Sequence, residues 1–144
     1  MNQSDLQSLL TDLIKTWENE VIEFKAASND FNTDKIGQYF SALGNEANIR
    51  NLEHAWLVFG VDDKTHKIIG TDYRPERSRL QGLKHQINQV TSPSLTFREI
   101  HELMHGEGRV VLFEIPAAPR GMPVAWKGQY YARAGESLVP LGLD

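Results

Sequence analysis

The stretch Ala55-Trp56-Leu57-Val58-Phe59-Gly60-Val61 carries no polar side chain, so both of its faces must be covered, and seven such residues between polar flanks read as the central strand of a sheet. The polar run Asp62–His66 then supplies a turn, and Lys67–Gly70 a short return. Upstream, Val21–Ala26 alternates in character, as a half-buried strand does: Ile22, Phe24 and Ala26 look one way, Val21, Glu23 and Lys25 the other. Glu23 and Lys25 therefore share a face.

Helices flank these strands. Leu6, Leu9, Leu10, Leu13, Ile14 and Trp17 recur at helical spacing, with Ser4 and Gln7 set as a capping box. A second helix is predicted from Thr33, carrying Ile36, Tyr39, Phe40 and Leu43 until Gly44 ends it. Asn45–His54 stays unassigned. Pro75 opens a third helix with Leu80, Leu83, Ile87 and Val90 inward, while Arg74, Arg77, Gln81 and His85 gather on its outward arc. The last third reads as strands at Ser94–His101, Arg109–Ile115, Val124–Trp126 and Gln129–Arg133, broken by glycines and by the Pro116–Pro123 loop. Helices early and strands late predict an α+β fold, with three helices and a mixed sheet of about six strands, in a single domain over residues 1–144.

Composition narrows the chemistry. The 144 residues contain no cysteine, which excludes disulfides, thiolate metal sites and thiol catalysis. No apolar run is long enough to span a bilayer and no leader pattern opens the chain, so a cytoplasmic location without membrane contact is expected. Net charge is −4, with acids concentrated in the first thirty residues and bases in excess from Tyr73 onward. A nucleic-acid partner would thus be met by a local basic patch rather than by the total charge.

Three constellations carry chemistry. His101-Glu102-Leu103-Met104-His105 has the HExxH spacing of a zinc helix, but it follows a strand-like Leu95-Thr96-Phe97 and stops at Gly106-Glu107-Gly108, so the helix that zinc needs is missing. Glu18, Glu20 and Glu23, with Asp62 and Asp63 at the end of the central strand, offer oxygen ligands for Mg²⁺ or Mn²⁺, and Lys25 could steady a phosphate. Arg74, Arg77 and Arg79, then Arg98, Arg120, Lys127 and Arg133 with Trp126, Tyr130 and Tyr131, supply guanidinium forks and aromatic faces suited to phosphates and bases.

Four ordered segments carry a resemblance: Glu18-x-x-x-x-Glu23-Phe24-Lys25, then Phe40-Ser41-Ala42-Leu43-Gly44-Asn45, then Phe59-Gly60-Val61-Asp62-Asp63 with Ile69-Gly70, and finally Arg109–Pro116 with Met122-Pro123-Val124 and Gln129–Arg133 before Gly135-Glu136-Ser137. Over roughly residues 17–137 the chain resembles the Schlafen-type AlbA-like domain. The resemblance implies a mixed α+β domain that binds DNA or RNA, found at the N-terminus of longer bacterial transcriptional regulators. In nuclease-active Schlafen members the matched positions, here Glu18, Glu23 and Asp62, form a metal-dependent RNA-cleaving site, with Asp63 as the alternate for the last. The resemblance also puts His101–His105 at a strand end and turn of the sheet, where side chains four apart lie about 13 Å from each other, too far for one zinc. The sequence departs from the family at Glu46–His54, where a Gly-Gly pair is common.

The expectation drawn from all this is a nucleic-acid-binding domain of a cytoplasmic regulator, contacting the phosphate backbone through Lys25, Arg74, Arg77, Arg79, Tyr131 and Arg133, with a homo-oligomer as one possible assembly and no cofactor assigned beyond the candidates Mg²⁺ and Mn²⁺. The alternatives are a divalent-metal endoribonuclease using Glu18, Glu23 and Asp62 with Mg²⁺ or Mn²⁺, and a ligand- or protein-binding sensor module.

Overall fold

The computed structural model describes residues 1–16, 21–134 and 137–140. In chain order the elements are α1 (Gln3–Thr16), β1 (Ile22–Lys25), α2 (Thr33–Ile49), β2 (His54–Phe59), α3 (Arg77–Val90), β3 (Thr91–Ser92), β4 (Glu99–His105), β5 (Gly108–Pro116), β6 (Ala125–Trp126), β7 (Gln129–Ala134) and β8 (Ser137–Pro140). The α+β class and the three helices stand as expected, with the strands shared between two four-stranded sheets, β1-β2-β5-β4 and β3-β6-β7-β8. Among the described residues, no helix is long and apolar enough to cross a membrane.

β2 is the central strand that its apolar run predicts: it pairs in parallel with β1 and antiparallel with β5, and Leu57, Val58 and Phe59 are fully buried. The parallel pair needs a crossover, which α2 supplies. α2 lies between the two sheets, touching β2 and β5 of one and β6, β7 and β8 of the other. That position explains why it buries more than a stripe, including the polar Ser41 and Asn45. The Ser41 hydroxyl donates to the Val124 carbonyl at 2.6 Å, and Asn45 accepts from Val124 N–H at 2.8 Å while its amide donates to the Tyr131 carbonyl at 3.0 Å. The Ser-Ala-Leu-Gly-Asn segment is thus the latch that ties α2 to the second sheet.

Several boundaries differ from the sequence reading. Gly44 does not end α2, which runs on to Ile49; a Cβ there would sit 2.9 Å from the Pro116 carbonyl oxygen, so this glycine permits close packing rather than a stop. The α1 cap is Asn2, not Ser4: its side chain accepts from Asp5 N–H at 2.8 Å and its own N–H donates back to Asp5 at 3.2 Å. α3 starts at Arg77 instead of Pro75, and Val90 at its end is exposed. β4 covers Glu99–His105, later than the predicted Ser94–His101, so the HExxH run is strand. The Lys67–Gly70 return reduces to a single bridge between Val61 and Ile68.

β4 is an edge strand, and side chains take up its outward backbone groups. The Gln3 amide donates to the Glu102 carbonyl at 3.0 Å and accepts from Met104 N–H at 2.9 Å, while Arg77 donates to the Ile100 carbonyl at 2.6 Å. α1 thereby covers an edge that would otherwise invite another strand.

Candidate functional site

Two clusters of charge flank the loop that joins β1 to α2, residues 26–32. The first is at the end of β1. Alternation places Glu23 and Lys25 on one face, as expected, and their charged groups lie 3.2 Å apart. The second oxygen of Glu23 accepts from Arg133 of β7 at 2.8 Å, and the Arg133 side chain is fully buried. Tyr39 of α2 forms the floor: Lys25, Arg133 and Lys35 lie 5.5, 5.9 and 5.8 Å from its ring centroid. Placed between the two cations, the buried Glu23 gives each charge withdrawn from water an opposite neighbour.

Electrostatics follow the geometry. Burial opposes the Lys25 ammonium, but the Tyr39 hydroxyl and the Glu23 carboxylate outweigh it and hold Lys25 above the ordinary lysine value. Burial, and after it the Glu23 charge, push the Tyr39 hydroxyl up. Lys25 is therefore a permanent cation, and with 28% of its side chain exposed it can be reached by a partner, as can the exposed Lys35.

The second cluster follows Tyr73. Arg74 N–H donates to the Asn29 side chain at 2.9 Å, the Arg79 guanidinium approaches the same oxygen at 3.4 Å, and the Arg74 guanidinium donates to the Arg79 carbonyl at 2.8 Å. Asn29 belongs to the β1–α2 loop, so both arginines border that loop. Arg79 also meets Glu76 at 3.6 Å, an exposed pair of little energetic weight. On the far side of the first turn of α2, Lys127 contacts Asp34 at 3.1 Å, and that carboxylate also accepts from the Trp126 indole at 2.7 Å. These contacts, the Trp126 bond first, hold Asp34 below the usual Asp value.

The remaining expected residues lie elsewhere. Arg77 sits at the head of α3 but turns toward β4, where it meets Glu99 at 2.9 Å and Glu102 at 3.4 Å. Tyr131 is partly buried, and its N–H donates to the Ser41 hydroxyl at 3.1 Å. Asp62 uses one oxygen to cap its own turn, accepting from Lys64 and Thr65 N–H at 2.8 Å each. Those bonds, from Thr65 and then Lys64, hold its carboxyl below the ordinary range. Glu18 lies outside the described residues.

These environments bear on a divalent ion. Of the two described members of the expected set, Glu23 has both oxygens facing cations and Asp62 has one oxygen engaged with its own turn, whereas Mg²⁺ or Mn²⁺ asks for free carboxylate oxygens. Among the described residues no group of three His, Asp or Glu side chains could hold a metal. His101 instead contacts Glu114 at 2.9 Å, and His105 accepts from Glu107 N–H at 3.0 Å.

Sequence reasoning missed Tyr39, Lys35 and Asn29. Tyr39 has the spacing of a core residue and is one, and only the sheet against it turns its ring into a floor for cations. The Glu23–Arg133 pair spans 110 residues, beyond any local pattern.

Comparison with known proteins agrees with this architecture. The family model described as Schlafen, AlbA_2 matches residues 18–142. Among solved structures, the DIP2311 protein of Corynebacterium diphtheriae superposes with a TM-score of 0.60 at 16% identity, over 96% of this chain and 27% of that one. The chain thus spans about a quarter of that protein's length. The N-terminal domain of a protein from Nitrosomonas europaea, named as related to the ATP-dependent DNA helicase RecG, superposes with a TM-score of 0.58 at 20% identity, over 94% of each chain. At these identities the likeness is one of fold. No curated protein matches the sequence.

Proposed function

The chain belongs to the Schlafen, AlbA_2 family, and from that premise we propose that it is a nucleic-acid-binding domain whose contact surface surrounds the β1–α2 loop. The observation that carries this reading is the convergence of Lys25, Lys35, Arg74 and Arg79 on that loop, in a protein of net charge −4. Their charged ends suit phosphates, which ammonium and guanidinium groups recognise without regard to sequence. The relation of one structural neighbour, by its name, to a DNA helicase is in keeping with such a role. Service as part of a transcriptional regulator follows the same line.

The surface proposed here differs from the set expected from sequence. Arg77 is committed to Glu99 and Glu102, Tyr131 is half-buried, and Arg133 is fully enclosed. Lys35 and Lys127 take their place at the rim. Arg133 acts from beneath, by keeping Glu23 from drawing Lys25 inward alone.

The test is fluorescence anisotropy with a DNA duplex and with an RNA hairpin across a salt series. The logarithm of affinity should fall linearly with the logarithm of salt, by about 0.9 per phosphate neutralised on duplex DNA. Absence of affinity for either probe at about 50 mM salt would end the reading. The metal-dependent ribonuclease reading is favoured less, because Glu23 serves here as the counter-ion of two cations. Cleavage of structured RNA with Mn²⁺ that is lost on Glu23→Ala, in a variant that keeps its fold, would restore it.

A further inference from the structure

We propose that Arg109 is a positioning residue for this surface, its buried guanidinium gripping the loop 71–74 so that Arg74 is held against the β1–α2 loop. The inference rests on the nucleic-acid reading above for its binding consequence, but its structural half stands alone.

Arg109 lies on β5, with 12% of its side chain exposed. Its Nη1 donates to the carbonyls of Tyr73 at 2.7 Å and Thr71 at 3.3 Å, and its Nη2 to that of Arg74 at 3.0 Å. Its Nε donates to Glu102 at 2.9 Å. Four of the five donors of a rigid planar fork are thus assigned, three of them to one short stretch of backbone. Thr71 N–H returns a bond to the Arg109 carbonyl at 2.9 Å, so the grip is mutual.

The loop needs holding. Arg74 has φ +37, the left-handed region that a residue with a Cβ adopts when its surroundings impose it. The imposed conformation points Arg74 N–H at Asn29 and its guanidinium at the Arg79 carbonyl. Glu102 extends the chain of command, since its other oxygen meets Arg77 at the head of α3. Removing the fork frees the carbonyls of residues 71, 73 and 74 together, and Arg74 loses the orientation that makes it available to a phosphate.

The experiment compares wild type, Arg74→Ala, Arg109→Lys and the double variant by anisotropy over a salt series, with amide hydrogen exchange at Arg74 measured on the same proteins without nucleic acid. Lysine keeps the charge but cannot fork. Arg74→Ala and Arg109→Lys should each reduce the salt slope by about 1, the value of one phosphate contact, and the double variant by about 1 as well, because both act through the same group. Arg109→Lys should also speed exchange at the Arg74 amide. Additive losses, or an Arg74 amide that exchanges as in wild type, would overturn the proposal. If Arg109→Lys does not fold, Glu102→Gln serves: it leaves the fork but loosens Nε, and the same two readouts should move in the same direction by less. Should wild type bind no nucleic acid, the function assigned above fails while the exchange measurement still decides whether Arg109 holds the loop.

Discussion

The two charged corners beside the β1–α2 loop use the same residue types for opposite ends. At one, Arg133 has no exposed side-chain surface and pairs with buried Glu23; at the other, Arg79 is 47% exposed and pairs loosely with Glu76. Burial decides what a guanidinium does. Enclosed, it must be matched, and it welds β7 to β1 across the two sheets. Exposed, its pairing is nearly neutral, and the charge remains available to a phosphate. A basic residue count therefore overstates an interface unless the enclosed cations are set aside.

The sharpest way to break this contrast is Arg133→Met. It leaves Glu23 buried with Lys25 as its described cation and should cost about 3–5 kcal/mol of stability in urea unfolding. Wild-type stability in that variant would show that the enclosed corner holds nothing together. Next in size is Gly37→Ala, which tests the packing that brings the second sheet to α2: an added Cβ would lie 2.1 Å from the Trp126 ring, and overpacking of that kind should cost about 1–3 kcal/mol, read from the thermal midpoint. Gln3→Ala removes two bonds to the β4 edge and should cost about 1 kcal/mol, with concentration-dependent association in sedimentation as the sign of an opened edge.

On the exposed side the effects invert. Arg79→Ala should change stability by less than about 0.5 kcal/mol yet lower the salt slope of nucleic-acid binding by about 1. Equal losses of stability for Arg79→Ala and Arg133→Met would erase the distinction between the corners. The smallest effect belongs to Asp62, whose carboxyl is held below its ordinary value of 3.8 by turn N–H groups. A depressed pKa stabilises the fold above the unfolded value, and that contribution fades as pH drops from there through the folded value. An acid titration of stability should accordingly be shallower in Asp62→Ala than in wild type.

Much of the frame was legible along the chain. The unbroken apolar run at 55–61 has no stable place but a strand covered on both faces, and alternation at 21–26 set Glu23 beside Lys25. Errors fell where one residue type serves two physical ends. Gly44 looks like a helix stop, yet it is a close-approach glycine against Pro116. His101–His105, by contrast, has helical metal spacing, but the glycines that stop it already mark it as strand, and it sits on an edge strand. The arginines at 74, 77 and 79 look equivalent in sequence, and Glu99 and Glu102 single out the middle one.

Periodicity by itself determined the α+β class, the central strand and the shared face of Glu23 and Lys25, because each depends on neighbours a few positions apart, and composition alone, with no cysteine, excluded thiol chemistry. Which cations are enclosed and which are offered to a partner was decided only by the tertiary structure. Glu23 meets Arg133, and Arg74 is presented by Arg109, through chain separations of 110 and 35 residues, and a charge's worth depends on the water left around it once those distant parts have closed together.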